Sequence, residues 1–219
     1  MAGRPGVPAP VHHPVFARVY ARLARAMEGR GAAEHRRRLL AGCAGRVVEV
    51  GAGSGANFAH YPPTVREVVA VEPEAHLREL ARRAAAGAPV PVTVVDGVAD
   101  RLPAADGVFD AAVSTLVLCS VPDVAAALRE IRRVLRPGGR LHVWEHVRAD
   151  GRVLSRVQRI ADATVWPRLA GGCRTGRDTA AAMAEAGFAI ERLDRFRFPD
   201  TRLSTPTTPQ VLGTAVRTP

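Results

Sequence analysis

The sequence predicts an α/β fold: an open, mostly parallel sheet, with amino-terminal helices and one inserted helix as the expected lid. Three observations carry this. Short apolar strands alternate with segments of helical periodicity, the connections are short, and the first strand runs directly into a glycine-rich turn. With 219 residues and 47% hydrophobic content, the chain can build one substantial core with additions. The expected organisation is a disordered tail over 1–14 and a single domain over 15–217. Within that domain, helices occupy 15–44 and a cap segment spans 151–174.

A helix over Val15–Glu28 places Val15, Val19, Leu23 and Met27 on one face, and Gly29 with Gly31 ends it. A second helix, Ala32–Leu40, leads into a strand over Arg46–Val50. The glycine turn and a helix follow to His60, where Pro62-Pro63 breaks the chain. Next come strand Glu67–Val71, helix Ala75–Ala86, and strands Val90–Val95 and Ala111–Ser114. Helix Val121–Leu135 aligns Val124, Leu128, Ile131 and Leu135. Pro137-Gly138-Gly139 stops it before strand Arg140–Glu145. Residues 151–170 read as the extra helix, with Val153, Val157, Ile160 and Val165 as its apolar positions. Helix Thr175–Ala186, strand Phe188–Phe196 and a last strand over Val211–Val216 complete the chain.

The chemistry concentrates around Val47-Val48-Glu49-Val50-Gly51-Ala52-Gly53-Ser54-Gly55-Ala56-Asn57. Glycines at 51, 53 and 55 allow a sharp turn and close approach of a ligand, and a following helix would offer free amides. Glu72 closes the second strand, where a carboxylate can accept both hydroxyls of a ribose. Gly51, Gly53 and Ala56 also satisfy the loose dinucleotide pattern. The glycine turn, however, contains no Arg or Lys to meet a pyrophosphate. Glu49 and Glu72 suit a cationic ligand better.

The net charge is +10 and the pI about 11.2, values that ordinarily suggest nucleic acid or an anionic surface. Yet all 31 basic residues are Arg, which fits a compositional bias. Residues 1–46 carry nine Arg against two Glu, so any basic patch belongs near the amino terminus. The Arg36-Arg37-Arg38 run reads as a solvated helix face, and no nucleic-acid module or interleaved aromatic series accompanies it. Cys43, Cys119 and Cys173 lack metal-like spacing and cannot all pair, which points to a reducing, cytoplasmic setting. No secretory signal and no apolar run of transmembrane length is present.

Six separated segments, in order, resemble the class I S-adenosylmethionine-dependent methyltransferases, whose sheet is Rossmann-like: Glu49, the glycine turn, Glu72, Asp96-Gly97-Val98-Ala99, Phe109-Asp110, and Leu135 to Arg140. The resemblance covers roughly residues 45–145. It implies S-adenosylmethionine as cofactor, S-adenosylhomocysteine as product, and no metal. It also implies that Gly51, Ala52, Gly53, Gly55 and Asn57 line the methionine part and that Glu72 and Pro73 hold the ribose. Asp96, Gly97, Val98 and Ala99 then border the adenine, with Thr115 and Leu116 at the pocket floor. Many members carry an acidic residue where Val98 stands, and Asp96 or Asp100 is the candidate replacement.

A narrower resemblance is to the methyltransferase-like 7 family, known for methylating alkyl thiols. It rests on Asn57-Phe58 with Tyr61-Pro62-Pro63, Ser114 to Val121, Glu145-His146-Val147, Gly172-Cys173 and Pro209 to Gly213. Relatives usually have His where Gln210 stands, and the amino-terminal membrane anchor of animal members is missing. The resemblance implies a small-molecule partner, an apolar thiol methylated on sulfur. Small-molecule O- or N-methylation is the alternative, and a non-catalytic nucleic-acid-binding protein the rival from another class.

A sulfonium methyl needs an acceptor lone pair held in line, so positioning and desolvation supply much of the rate. A thiol with a free pKa of about 8.5 already ionises in part near neutrality. His146, just past a strand tip, is the candidate to orient or deprotonate it, or else a strand-end residue hydrogen-bonded in the core. Phe16, Tyr20 and Trp166 are candidates for an apolar wall around the acceptor. Cys119 and Cys173 read as buried small hydrophobes, because direct transfer needs no covalent cysteine.

Overall fold

The computed structural model describes residues 14–200 and 204–219, with side chains from Ala17 onward. The expected tail therefore falls almost wholly outside the described residues, as do the side chains of Val15 and Phe16. Strands β1 (Gly45–Val50), β2 (Val65–Val71), β3 (Val92–Val95), β4 (Phe109–Thr115) and β5 (Leu135–His146) run parallel. Two more, β6 (Phe188–Arg197) and β7 (Pro209–Arg217), pair antiparallel with each other, and β7 is antiparallel to β5. The sheet order is β3-β2-β1-β4-β5-β7-β6. Because the order reverses between β1 and β4, a crevice opens at the carboxyl ends of these strands.

Both faces of the sheet are covered, as a parallel sheet requires. Along β1, Val47 packs in one core with Leu39 and Leu40 of α2 (Ala33–Leu40) and Ala81 of α3 (Ala75–Ala85). Val48 points the other way, into a core with Leu128 and Ile131 of α4 (Val124–Val134). The α4 face agrees with its periodicity, and Asp123 caps it by accepting from the Ala126 N–H at 2.9 Å. Strand β5 starts earlier than its turn residues suggest. Leu135 already pairs with Phe109, and Pro137 to Gly139 lie within an irregularity of the ladder.

Three expectations fail, each for a local reason. The glycine turn is not followed by a regular helix. Only a 3-10 turn, Phe58–His60, forms before Pro62-Pro63, so the expected helix amino terminus with free amides does not exist. In α1 (Pro14–Met27), Val19 and Leu23 are exposed while Ala17 and Ala21 are buried against Leu77. The small residues let the helix lie close to α3 and aim Tyr20 inward. The predicted helix over 151–170 breaks at Thr164 into α5 (Arg152–Ala163) and α6 (Trp166–Leu169). Its apolar stripe faces outward, Val153 being 81% exposed, whereas the fully buried residue of α5 is Gln158.

Gln158 explains that inversion. Its carbonyl accepts from the Ala149 N–H at 2.8 Å, and its amide reaches the carbonyls of Val147, Thr175 and Pro206 at 2.9–3.1 Å. One side chain thus satisfies four main-chain groups that have left regular structure. A Gln158→Leu substitution leaves those groups buried and unpaired. It should lower unfolding stability by about 2–4 kcal/mol, measurable by urea denaturation, whereas Val153→Ser on the same helix should change it little.

Candidate active site

The strand tips bring Glu49, Glu72, Thr115 and Glu145 to one edge of the sheet, all buried. Glu49 accepts from Asn57 Nδ2 at 3.0 Å and from the Tyr61 hydroxyl at 2.6 Å. Asn57 also reaches Thr115 Oγ1 at 3.0 Å, and its carbonyl accepts from Arg36 Nη1 at 2.7 Å. Arg36 in turn binds Glu28 at 2.8 Å and lies 5.4 Å from the Trp144 ring centroid. The Arg36-Arg37-Arg38 run is therefore not a uniform solvated face. Arg36 is 6% exposed and belongs to the site, while Arg37 and Arg38 pair with Glu34 and Asp194 at the surface.

Glu72 Oε2 accepts from the Gly53 N–H at 2.7 Å, and Oε1 from the Glu74 N–H at 2.9 Å. Each oxygen retains a lone pair for a further donor. The glycines have a reason beyond ligand approach. Gly51 and Gly53 have φ of +66° and +56°, and a Cβ at Gly51 would lie 2.6 Å from Val117 Cγ2. At Gly53 a Cβ would meet Tyr20 Cε1 at 3.2 Å, which sets Tyr20 directly over the turn. Pro73 follows Glu72, and its carbonyl accepts from Arg78. Asp96 is mostly exposed and paired with Arg78 at 2.9 Å, while Gly97, Val98 and Ala99 line the adjoining loop half-buried.

At the tip of β4, Leu116 adopts φ +58° and its N–H bonds to the Trp144 carbonyl at 2.7 Å. The loop beyond is held by Glu145, whose carboxylate accepts from Ser114 Oγ and from the N–H groups of Val117, Leu118 and Cys119, at 2.7–3.2 Å. His146, at the end of β5, has Nδ1 3.5 Å from the sulfurs of both Cys119 and Cys173. Those sulfurs lie 3.8 Å apart. The Cys119 thiol and His146 hold Cys173 below the usual thiol range, with Trp166 contributing, although the indole N–H makes no hydrogen bond of ordinary geometry. Cys119 is pushed up by its hydrogen bond to Cys173 and by burial.

The structure thus brings Tyr20, His146 and Trp166 to the same side of the crevice; burial pushes the Tyr20 hydroxyl up, with Arg36 opposing and Glu72 adding to the shift. Sequence reasoning missed Arg36, Tyr61 and Arg78 as site residues, and the clamp made by Glu145. Tyr61 and Glu145 had an available signal, since both fall in the runs that carry the narrower family resemblance. Gln210 is buried, accepts from Trp144 Nε1 at 2.5 Å and donates to the Phe198 and Thr207 carbonyls at 3.0 Å. Its place is structural.

Burial pushes the Glu49 carboxyl up from 4.5 to about 7, against the lowering effect of its bonds to Tyr61 and Asn57. Burial also raises Glu72 and Glu145. For Glu49 the folded state binds the proton more tightly than the unfolded chain. Its contribution to stability is full below pH 4.5 and is lost as the pH rises to about 7. Unfolding free energy should therefore fall across that window. Glu49→Gln should flatten the fall by on the order of 2 kcal/mol, as read by urea denaturation at a series of pH values.

A family model described as a methyltransferase domain matches residues 48–143. Thiol S-methyltransferase TMT1B of Homo sapiens is 36% identical over 184 residues, covering 81% of this chain and 74% of that protein. A demethylmenaquinone methyltransferase of Mycolicibacterium vanbaalenii is 40% identical over 102 residues, 47% of this chain and 45% of that one. Among solved structures, a SAM-dependent methyltransferase from Thermotoga maritima superposes with a TM-score of 0.67 at 23% identity, over 93% of this chain and 98% of that one. That last likeness speaks for the fold alone. Among the described residues no helix is long and apolar enough to cross a membrane. The match to TMT1B is longer than the shared methyltransferase core and takes in much of the chain around it. On that evidence the chain belongs to the class I S-adenosylmethionine-dependent methyltransferases, in the family of the thiol S-methyltransferases.

Proposed function

We propose that this chain transfers the methyl group of S-adenosylmethionine to the sulfur of an apolar thiol. The observation that carries the donor half is the pair of buried carboxylates, Glu49 and Glu72, at neighbouring strand tips, with Arg36 already committed to Glu28 and Asn57. Such a site favours a cation. When bound, S-adenosylmethionine supplies an electrophilic methyl on a positively charged sulfur. Gly51, Ala52, Gly53, Gly55 and Asn57 would line its methionine part, and Glu72 with Pro73 would take the ribose through the lone pairs left free. Asp96, Gly97, Val98 and Ala99 would border the adenine, with Thr115 and Leu116 beneath. The thiol half is supported by the relation to a protein whose name states thiol S-methylation.

On the acceptor side, Tyr20 and Trp166 would form the apolar wall and exclude water, with Phe16 one turn before Tyr20 on α1. Desolvation strengthens the reaction because neutral products form from opposite charges when the acceptor is a thiolate. His146 is the group placed to assist ionisation of that acceptor. The residues of α1 and of the cap over 151–174 act as the lid.

Two measurements test this reading. By calorimetry, Glu72→Ala should weaken S-adenosylmethionine binding by about 1.5–3 kcal/mol, and Glu72→Gln by less; unchanged affinity in folded Glu72→Ala protein removes Glu72 from the site. In turnover assays on a panel of thiols, phenols and amines, the methylated product should be a thioether. His146→Gln should lower the rate most at about pH 6–7 and much less near pH 9, where the thiol ionises unaided. A defect uniform in pH would assign His146 to positioning, and exclusive methylation of phenols or amines would overturn the thiol assignment.

A further inference from the structure

The three groups Cys119, His146 and Cys173 come from the loop after β4, the end of β5 and the segment after α6, and their ligand atoms lie within 4.8 Å of one another. The individual separations are more telling than the cluster. Sγ to Sγ is 3.8 Å, and Nδ1 to each sulfur is 3.5 Å. For tetrahedral zinc, bonds of about 2.3 Å to sulfur and about 2.0–2.1 Å to nitrogen give edges of about 3.8 Å between sulfurs and about 3.5 Å between sulfur and nitrogen. The three atoms already form one face of that tetrahedron. A disulfide, by contrast, would need the sulfurs to close to about 2.05 Å, and all three cysteines are free.

The geometry is set by the backbone. The Cys119 N–H is held by Glu145, and its carbonyl accepts from the Arg174 N–H at 2.7 Å. Arg177 donates to the carbonyls of Leu118 and Val121, tying the same two loops again. Gly172 has φ +89°, and a Cβ there would stand 2.6 Å from the Ser120 carbonyl, so the two loops touch where no side chain fits. His146 is fixed by its pairing with Gln210 on β7. These contacts bring two sulfurs and an imidazole together without needing an ion to do so, which is the preorganisation a metal site requires.

We propose that Cys119, His146 and Cys173 bind one zinc ion, whose fourth position takes the acceptor thiol as a thiolate. The proposal departs from the expectation of no metal, deepens the thiol-methylation reading and rests on it for the fourth ligand; His146 then assists ionisation of the acceptor by holding the ion, not by taking the proton itself. Two cysteine thiolates and a neutral imidazole balance the charge of the ion, and three protein ligands leave one position open, the pattern of a reactive site. The acceptor S–H loses its proton to solvent as its sulfur joins the zinc. A lone pair of that sulfur then forms the bond to the methyl carbon while the carbon–sulfur bond of the sulfonium breaks, its electron pair remaining on the departing sulfur. The thioether product is neutral and a weaker ligand than a thiolate, so it leaves and the three-ligand site is regenerated.

The test uses the full chain, reduced with a phosphine and freed of metal. Titration with zinc against a chromophoric chelator should give one tight site per chain. Cys119→Ala and Cys173→Ala should each weaken it at least on the order of 100-fold, with Cys43→Ala unchanged. S-adenosylmethionine binding is measured on every variant, so that loss of fold is recognised. In the cobalt-substituted protein, thiolate charge-transfer absorption should appear, and should grow when an alkyl thiol is added. Absence of stoichiometric zinc binding in chain that still binds S-adenosylmethionine overturns the proposal. A cobalt spectrum indifferent to added thiol overturns the fourth-ligand assignment. If zinc binds but only phenols or amines are methylated, the thiol reading fails while the metal site stands.

Discussion

The carboxylate of Glu145 organises the side of the crevice that holds His146, Cys119 and Cys173. It is buried beside the last residue of β5 and accepts four hydrogen bonds, three of them from consecutive main-chain N–H groups of the loop that leaves β4. Those amides have no strand to pair with, and a neutral acceptor could not satisfy three donors so closely grouped. The loop can therefore turn through the left-handed conformation at Leu116 and deliver Cys119 next to His146. This side of the crevice inherits its shape from that one side chain.

The cofactor end is built by the same means but with a longer chain of contacts. Glu28, Arg36, Asn57, Glu49 and Tyr61 form a continuous hydrogen-bonded series from the amino-terminal helices to the tip of β1. Its two carboxyl groups and single guanidinium are partly or wholly removed from water, an arrangement that gives little net stability. What it gives is position. Asn57 is turned so that its amide meets both Glu49 and Thr115, which joins the tips of β1 and β4 on either side of the point where the sheet order reverses. Leaving Glu49 near its ionisation point without a ligand means that a bound cation completes the electrostatics of the site.

Much of this fold was legible because the signals are local. Apolar runs located β1, β2 and β5, the periodicity of α4 located its buried face, and the glycine turn followed by Glu72 marked strand tips beside the point where the sheet order reverses. The failures share a cause, which is that the deciding contact lies far along the chain. Nothing near Val153 indicates that Gln158 will find carbonyls at 147, 175 and 206, so the outward turn of the apolar positions of α5 has no local signal. Nothing near Arg36 indicates Asn57 or Trp144. Cys119, His146 and Cys173 are each 27 residues from the next, far outside any local ligand spacing, and only the sheet order and the docking of the cap bring them into contact.

The region over 151–177 is attached differently from the rest of the fold. Segments such as α4 are fixed by burying aliphatic side chains, but the 151–177 region is fixed by polar pins: Gln158 to four main-chain groups, Asp162 to the N–H groups of Thr175 and Gly176, and Arg177 to two carbonyls of the loop after β4. Hydrogen bonds of this kind are directional and net to modest free energies, so they specify one docked position without making it irreversible. Cys173 and Trp166 lie within this region, whereas His146 ends β5 and Cys119 sits in the loop that leaves β4. The cysteine–histidine cluster therefore joins a strand end and its neighbouring loop to a residue from a region that directional hydrogen bonds hold against them.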